Sequence, residues 1–126
     1  MIDIIQFIEW VKTHVDGEFY PLYFPDTASD DCVAVNFSEV LGRQGTVKDM
    51  TCSFLVRASH PKDAIKKCGE LINNLDKKTN LVFGNIQIIL LLAQQGTGQF
   101  QGIDDNSRSV FQADFKMLVS RTDILN

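Results

Sequence analysis

The amino-acid sequence predicts an α+β domain, in which a single mostly antiparallel sheet of four to five strands carries two amphipathic helices packed on one face. The chain of 126 residues and 14.2 kDa has the length of one domain, so we assign residues 1–126 to a single unit. Apolar residues recur with helical spacing in two segments and alternate in three others. Because strand patterns stand on both sides of the second helix, hairpins within one sheet are favoured.

The first segment predicts a helix and then a short edge strand. Its apolar residues recur at spacings of four, three and four, namely Ile4, Ile8, Val11 and Val15. Gly17 is expected to cap the end of this helix. The aromatic stretch Glu18–Phe24 is interrupted by Pro21, which is typical of an edge strand leading into a loop.

The next two segments predict a β-hairpin. Apolar and polar residues alternate through residues 32–40, and again from Met50 to Ala58. The polar connection between them contains Gly42 and Gly45, so its tip has no apolar reason to pack on its own domain.

A second helix is expected to begin at Pro61, capped by Ser59 or His60, and its apolar face comprises Ala64, Cys68, Leu71, Ile72 and Leu75. The nearly continuous apolar stretch 81–93 predicts the central strand. Residues 94–109 are rich in Gln, Gly and Asp, which indicates a loop or an irregular hairpin. Alternation from Phe111 to Val119 predicts the last strand.

Composition and charge exclude several classes of protein. The net charge of −4 argues against a sequence-independent nucleic-acid binder, and no sequence-specific nucleic acid is expected as a partner. The longest apolar run, Ile88–Ala93, is far shorter than the ~20 residues of a membrane span, and residues 1–15 lack the pattern of a secretory leader. Three cysteines without a C-x-x-C pair suggest buried thiols in a reducing cytoplasm.

No arrangement of reactive residues points to catalysis, so we expect a protein that is not an enzyme and has no cofactor or metal. His14 and His60 are interpreted as structural or solvated groups. The carboxylates Asp104, Asp105 and Asp114 lack the glycine and closing glutamate of a calcium loop. The segment Gly96-Thr97-Gly98 lacks the third glycine of a dinucleotide fingerprint and the lysine of a P-loop.

The pattern as a whole resembles the minor capsid or tail-terminator proteins of tailed bacteriophages. The resemblance covers nearly the whole chain and includes the strand TCSFLVRA at Thr51–Ala58 and the helix start Pro-Lys-Asp-Ala at Pro61. Near the end, a turn of the kind Gly-x-Asp-x-x-x-Arg, from Gly102 to Arg108, precedes an aromatic strand, as it does in that family. The loop 26–31 is more acidic than the family leads us to expect.

This resemblance implies a protomer that assembles into a ring, commonly hexameric, at the head-proximal end of a phage tail after synthesis in the host cytoplasm. Such a ring stops polymerisation of the tail tube and joins the tail to the head connector. The implied partners are further copies of the chain, the tail-tube protein and a head-completion or connector protein, with no membrane. Residues 1–50 carry a net charge of −6 and residues 51–126 one of +2, which suits subunits that meet head to tail.

Two candidate contact patches follow from the resemblance. One is the hairpin tip from Leu41 to Thr46, with Arg43 and Gln44 at its apex, although a disordered turn explains the same residues. The other is a set of polar and aromatic residues near the last strand: Gln99, Phe100, Asp104, Asp105 and Arg108. Asp105 and Arg108 alternatively only close their own turn.

Two other functions stay open at this point. A monomeric adaptor could bind a peptide by adding a strand to the sheet edge formed by residues 81–93. A small hydrolase or transferase would need His60 together with Cys52 or Cys68, and the positioned base and its orienting group are missing from the pattern.

Overall fold

The computed structural model describes residues 2–40 and 47–121, and in this part of the chain it contains two helices and seven strands. Their order along the chain is α1 (Ile4–Lys12), β1 (Phe19–Pro21), β2 (Cys32–Val40), β3 (Val47–Ala58), α2 (Pro61–Leu75), β4 (Lys78–Phe83), β5 (Ile86–Ala93), β6 (Gln99–Ile103) and β7 (Ser109–Arg121).

All seven strands belong to one sheet, whose main path runs β1-β2-β3-β7-β5-β4. Only β1 and β2 are parallel, and the other pairs are antiparallel. The long strand β7 pairs with β3 over residues 109–120 along one of its edges. Its second edge is shared, because β6 pairs with residues 109–112 and β5 with residues 115–121.

The sheet curls around α1 into a half-barrel. The Phe7 ring contacts Phe37 of β2 at 5.2 Å and Phe83 of β4 at 6.0 Å between centroids, which leaves those two rings within about 11 Å of each other. In a flat sheet, strands separated by three others would lie about 19 Å apart. One buried ring can therefore contact both strands only because the sheet is curled.

The α1 helix begins where the sequence predicts but ends earlier. The carboxylate of Asp3 caps its start by accepting a hydrogen bond of 2.9 Å from the Ile5 amide. The last turn closes at Thr13, whose hydroxyl donates to the carbonyl of Trp10 at 2.6 Å. The prediction that Gly17 caps this helix is therefore wrong, because Thr13 already satisfies the final carbonyls.

The predicted hairpin strands, the edge strand at Pro21, the helix that begins at Pro61 and the last strand are confirmed. On β3, β7 and α2 the residues predicted to be apolar and inward are buried. His60 occupies the N-cap position of α2, but its side chain makes no capping hydrogen bond.

The predicted fold class, a sheet of four to five strands with two helices packed on one face, is wrong. The protein is mostly sheet, with seven strands and only two short helices. The count differs because the stretch 81–93 belongs to two strands, β4 and β5, which turn at Gly84 with a φ of 63°. In addition, residues 94–109 contain β6, so of the two predicted alternatives the irregular hairpin is confirmed.

The prediction that residues 81–93 form the central strand is also wrong. The middle of the sheet is held by β3 and β7, while β4 is at one end of the path. A continuous apolar stretch is expected where both faces of a strand are buried. In β5, however, a register shift between Ile88 and Leu90 changes which residues face the core, and this accounts for part of the apolar run.

Candidate assembly surface

The edge strand β6 displays two large apolar side chains on the same face of the sheet. Phe100 pairs with Phe111, and Ile103 pairs with Ser109. The side chains of Phe111 and Ser109 both lie on the core-facing side of β7. On a regular strand, two residues that are three positions apart point to opposite faces of the sheet. The register shift between Phe100 and Gly102 instead brings the side chains of Phe100 and Ile103 to the same face. Phe100 is 58% exposed and Ile103 is 65% exposed.

A polar turn holds the β6–β7 hairpin in shape. The carboxylate of Asp104 accepts hydrogen bonds from the amides of Asn106 and Arg108, at 3.0 and 2.9 Å, and from the Arg108 Nε at 2.8 Å. The bond from the Arg108 amide is the main reason that the pKa of Asp104 is lowered. Arg108 also reaches Asp30 at 3.2 Å, which ties this turn to the loop before β2.

The structure brings the five residues of the second predicted patch into this one hairpin. Gln99 and Phe100 lie on β6, and Asp104, Asp105 and Arg108 lie on the turn or next to it. Arg108 closes the turn with Asp104 rather than with Asp105, which is exposed. The other predicted patch, from Leu41 to Thr46 with Arg43 and Gln44, lies outside the described residues.

A second exposed region, residues 22–31, was not selected from the sequence, and we call it the braced loop. Glu18 accepts hydrogen bonds from the amide and the hydroxyl of Ser29, at 2.9 and 3.0 Å. The buried guanidinium of Arg57 donates to the carbonyls of Ser29 and Asp30 at 2.7 and 3.2 Å, and it lies 4.6 Å from the centre of the Phe24 ring. These contacts fix the loop against the sheet.

The braced loop begins with a strained turn that exposes two apolar side chains. The amide of Tyr23 donates to the carbonyl of Pro21 at 2.9 Å, so Leu22 is the central residue of a γ-turn with a φ of 73°. This form of γ-turn is rare and strained for a residue with a branched side chain. Leu22 is 58% exposed and Tyr23 is 68% exposed. The available sequence signal was the aromatic run between Pro21 and Pro25.

Several titratable groups with a shifted pKa are held by hydrogen bonds within the subunit or are buried in it. Glu18 has a lowered pKa, first because it accepts a hydrogen bond of 2.6 Å from the Tyr20 hydroxyl, and the same bond raises the pKa of Tyr20 to about 12. Burial raises the pKa of the Cys68 thiol to about 11 and that of Cys52 well above its usual value. A thiol with a raised pKa carries little thiolate at neutral pH and is a poor nucleophile.

A cavity of about 300 Å³ lies between the residues just before β1, the start of β2, the end of β3 and α2. Its lining carries both signs of charge, and within it Arg57 holds the braced loop and Lys67 pairs with Glu70 at 3.2 Å. Within residues 2–40 and 47–121, no group of three or more His, Cys, Asp or Glu side chains is placed to hold a metal ion.

Comparison with known families decides what kind of protein presents these surfaces. The family model described as bacteriophage tail terminator protein matches residues 7–121, from the first helix to the end of β7. The chain belongs to the bacteriophage tail terminator family. The resemblance seen in the sequence is thereby confirmed for tail terminators, whereas no curated protein matches the chain.

Membership of the tail terminator family gives this chain a structural role in phage tail assembly. It also implies contact with other tail or head proteins and a location in the tail of the virion. No helix among the described residues is long and apolar enough to cross a membrane.

Proposed function

We propose that this tail terminator assembles into a closed ring, commonly a hexamer, at the head-proximal end of the tail. The ring stops polymerisation of the tail tube and joins the tail to the head connector or a head-completion protein. The observation that carries the proposal is the family match over residues 7–121. Rings require different patches on the two sides of each subunit, and apolar side chains are exposed both on β6 and in the braced loop.

The β6–β7 hairpin is the proposed contact with the tail tube or the neighbouring subunit. It presents Phe100 and Ile103 on one face, while the Asp104–Arg108 ion pair keeps the turn rigid without a partner. A preorganised surface loses little conformational entropy on binding. The tip from Leu41 to Thr46, with Arg43 and Gln44, is proposed as a further contact on the basis of the sequence alone.

The experiment that tests ring formation is native mass spectrometry over a concentration series, with and without tail-tube protein, followed by negative-stain imaging. A discrete oligomer with a central hole supports the proposal. A chain that stays monomeric alone and with tube protein contradicts it, as does a tube that continues to lengthen when the chain is added.

An adaptor that binds by strand addition is the second candidate function. Its supporting observation is β4, an end strand of the sheet whose Val82 is 60% exposed. A strictly monomeric chain that binds a peptide saturably, with loss of binding when Val82 is replaced by proline, would favour this candidate over the ring.

A further inference from the structure

The two ends of the sheet path carry exposed apolar side chains that could complement each other. At the β1 end, Leu22 and Tyr23 project from the braced loop. At the β4 end, Val82 lies opposite Gln87, on the face of the sheet away from the core, and is 60% exposed. Adjacent exposed apolar side chains such as Leu22 and Tyr23 are typical of contacts between proteins.

The same two ends differ in charge. Residues 18–31 contain four carboxylates, at Glu18, Asp26, Asp30 and Asp31, and no basic residue, and of the four Asp30 pairs with Arg108. The entry into β4 carries Lys77 and Lys78, of which Lys77 is exposed. Opposite charges around apolar contacts steer association and set which surfaces meet.

We infer that the braced loop of one subunit docks on the β4 edge of the next copy of this chain. This inference rests on the proposed ring and names the surfaces that close it. The two surfaces are different patches of the chain, so a contact between them is heterologous and can repeat around a ring. A second copy is the favoured occupant because the chain itself supplies both the acidic apolar surface and the basic apolar surface.

The γ-turn allows the contact to be tested without unfolding the subunit. Replacing Leu22 with glycine removes the exposed side chain and also relieves the positive φ, so the fold should tolerate it. On the other surface, Val82→Thr keeps the shape of the side chain and its preference for a strand but makes it polar. Both variants should unfold at temperatures close to that of the wild type.

Ring formation by the two variants is then measured by native mass spectrometry, with tail-tube protein added in all samples. Each variant alone should need at least about tenfold more protein than the wild type to form rings. An equimolar mixture should form pairs of one copy of each variant, since the loop of the Val82→Thr chain meets an intact β4 edge on the Leu22→Gly chain. The pairs stop there because their outer surfaces are both altered.

Charge reversal supplies the matched control. Lys77→Glu should weaken the ring, whereas Lys62→Glu, the same change at an exposed lysine of α2, should not. Wild-type rings together with unaltered rings from Leu22→Gly and Val82→Thr would overturn this inference and leave the proposed function standing. A wild-type chain that never assembles would overturn both.

Discussion

Gly98 lies so close to Cys68 that a Cβ atom built on the glycine would be 2.6 Å from the cysteine Sγ and 2.7 Å from its Cβ. Gly98 lies in the segment just before β6 and packs against the middle of α2. Its backbone can approach the helix this closely because glycine has no side chain. The position of β6, and with it the exposed face of Phe100, depends on this approach.

Gly98→Ala should destabilise the protein by about 1–3 kcal/mol, because the added methyl group overlaps atoms that are attached close to the α2 backbone. Urea denaturation followed by circular dichroism measures the change. Gly69→Ala is the matched control, since nothing lies within 4 Å of the added Cβ on this helical glycine. The control should stabilise by about 0.5–1 kcal/mol, and equal effects of the two variants would contradict the assigned packing.

Phe7→Ala should cost about 3–5 kcal/mol of unfolding free energy, because this fully buried ring contacts Phe37, Phe54 and Phe83. Phe100→Ala removes a ring of the same size from an exposed edge and should change the monomer by much less. The urea denaturation midpoints of the two variants measure this difference in stability. A small effect at Phe7 would mean that the sheet does not close around α1.

Arg57→Lys should loosen the braced loop while keeping the charge. Lysine cannot donate to the carbonyls of Ser29 and Asp30 from one planar group, and losing such charge-assisted hydrogen bonds costs about 1–3 kcal/mol. Limited proteolysis should cut the variant within residues 22–31 sooner than the wild type. Unchanged cleavage there would argue against the bracing role.

Glu18→Gln should make the stability of the folded protein depend less on pH in the acid range. The folded pKa of Glu18 lies below its usual value of 4.5, so its contribution is present above about pH 4.5 and is lost as the pH falls through the folded pKa. Tyr20 has a raised pKa of about 12, so its contribution is lost as the pH rises from 10.0 through that value. Melting temperatures of wild type and variant across both ranges test this. Parallel profiles would show that Glu18 does not carry the dependence.

Surface variants of the β6–β7 hairpin distinguish an effect on ring or tube contacts from an effect on folding. Phe100→Ser and Ile103→Ser should leave the melting temperature of the monomer nearly unchanged but weaken the ring or its attachment to the tube. Sedimentation velocity with and without tail-tube protein distinguishes these two effects. Arg43→Glu tests the hairpin tip in the same assay, and normal assembly would remove that tip from the proposed contacts.

The sequence was sufficient to predict the helices and strands that bury one face. From Met50 onward in β3, and throughout β7, every second side chain is buried, and in α2 the inward residues follow the helical period, so burial leaves a readable pattern. In β6 nearly every side chain is exposed, and the strand exists because of its hydrogen bonds to β7. No apolar alternation marks such a strand, and this is why it was expected only as a loop or an irregular hairpin.

The braced loop escaped prediction for a different reason. Arg57 and Ser29 are 28 positions apart, and Glu18 and Ser29 are 11 apart. Polar residues at such separations can pair in many ways, and the sequence alone does not say which pairs form. The exposure of Leu22 and Tyr23 follows from those pairs.

By itself, the sequence determined the family, the two helices and the strands of the β2–β3 hairpin, because each depends on local periodicity or on motifs that stay together along the chain. The tertiary structure decided that the sheet has seven strands and curls around Phe7, and which apolar side chains remain outside. Those features depend on hydrogen bonds and packing between distant segments, and their free energy is gained only when the whole chain has folded.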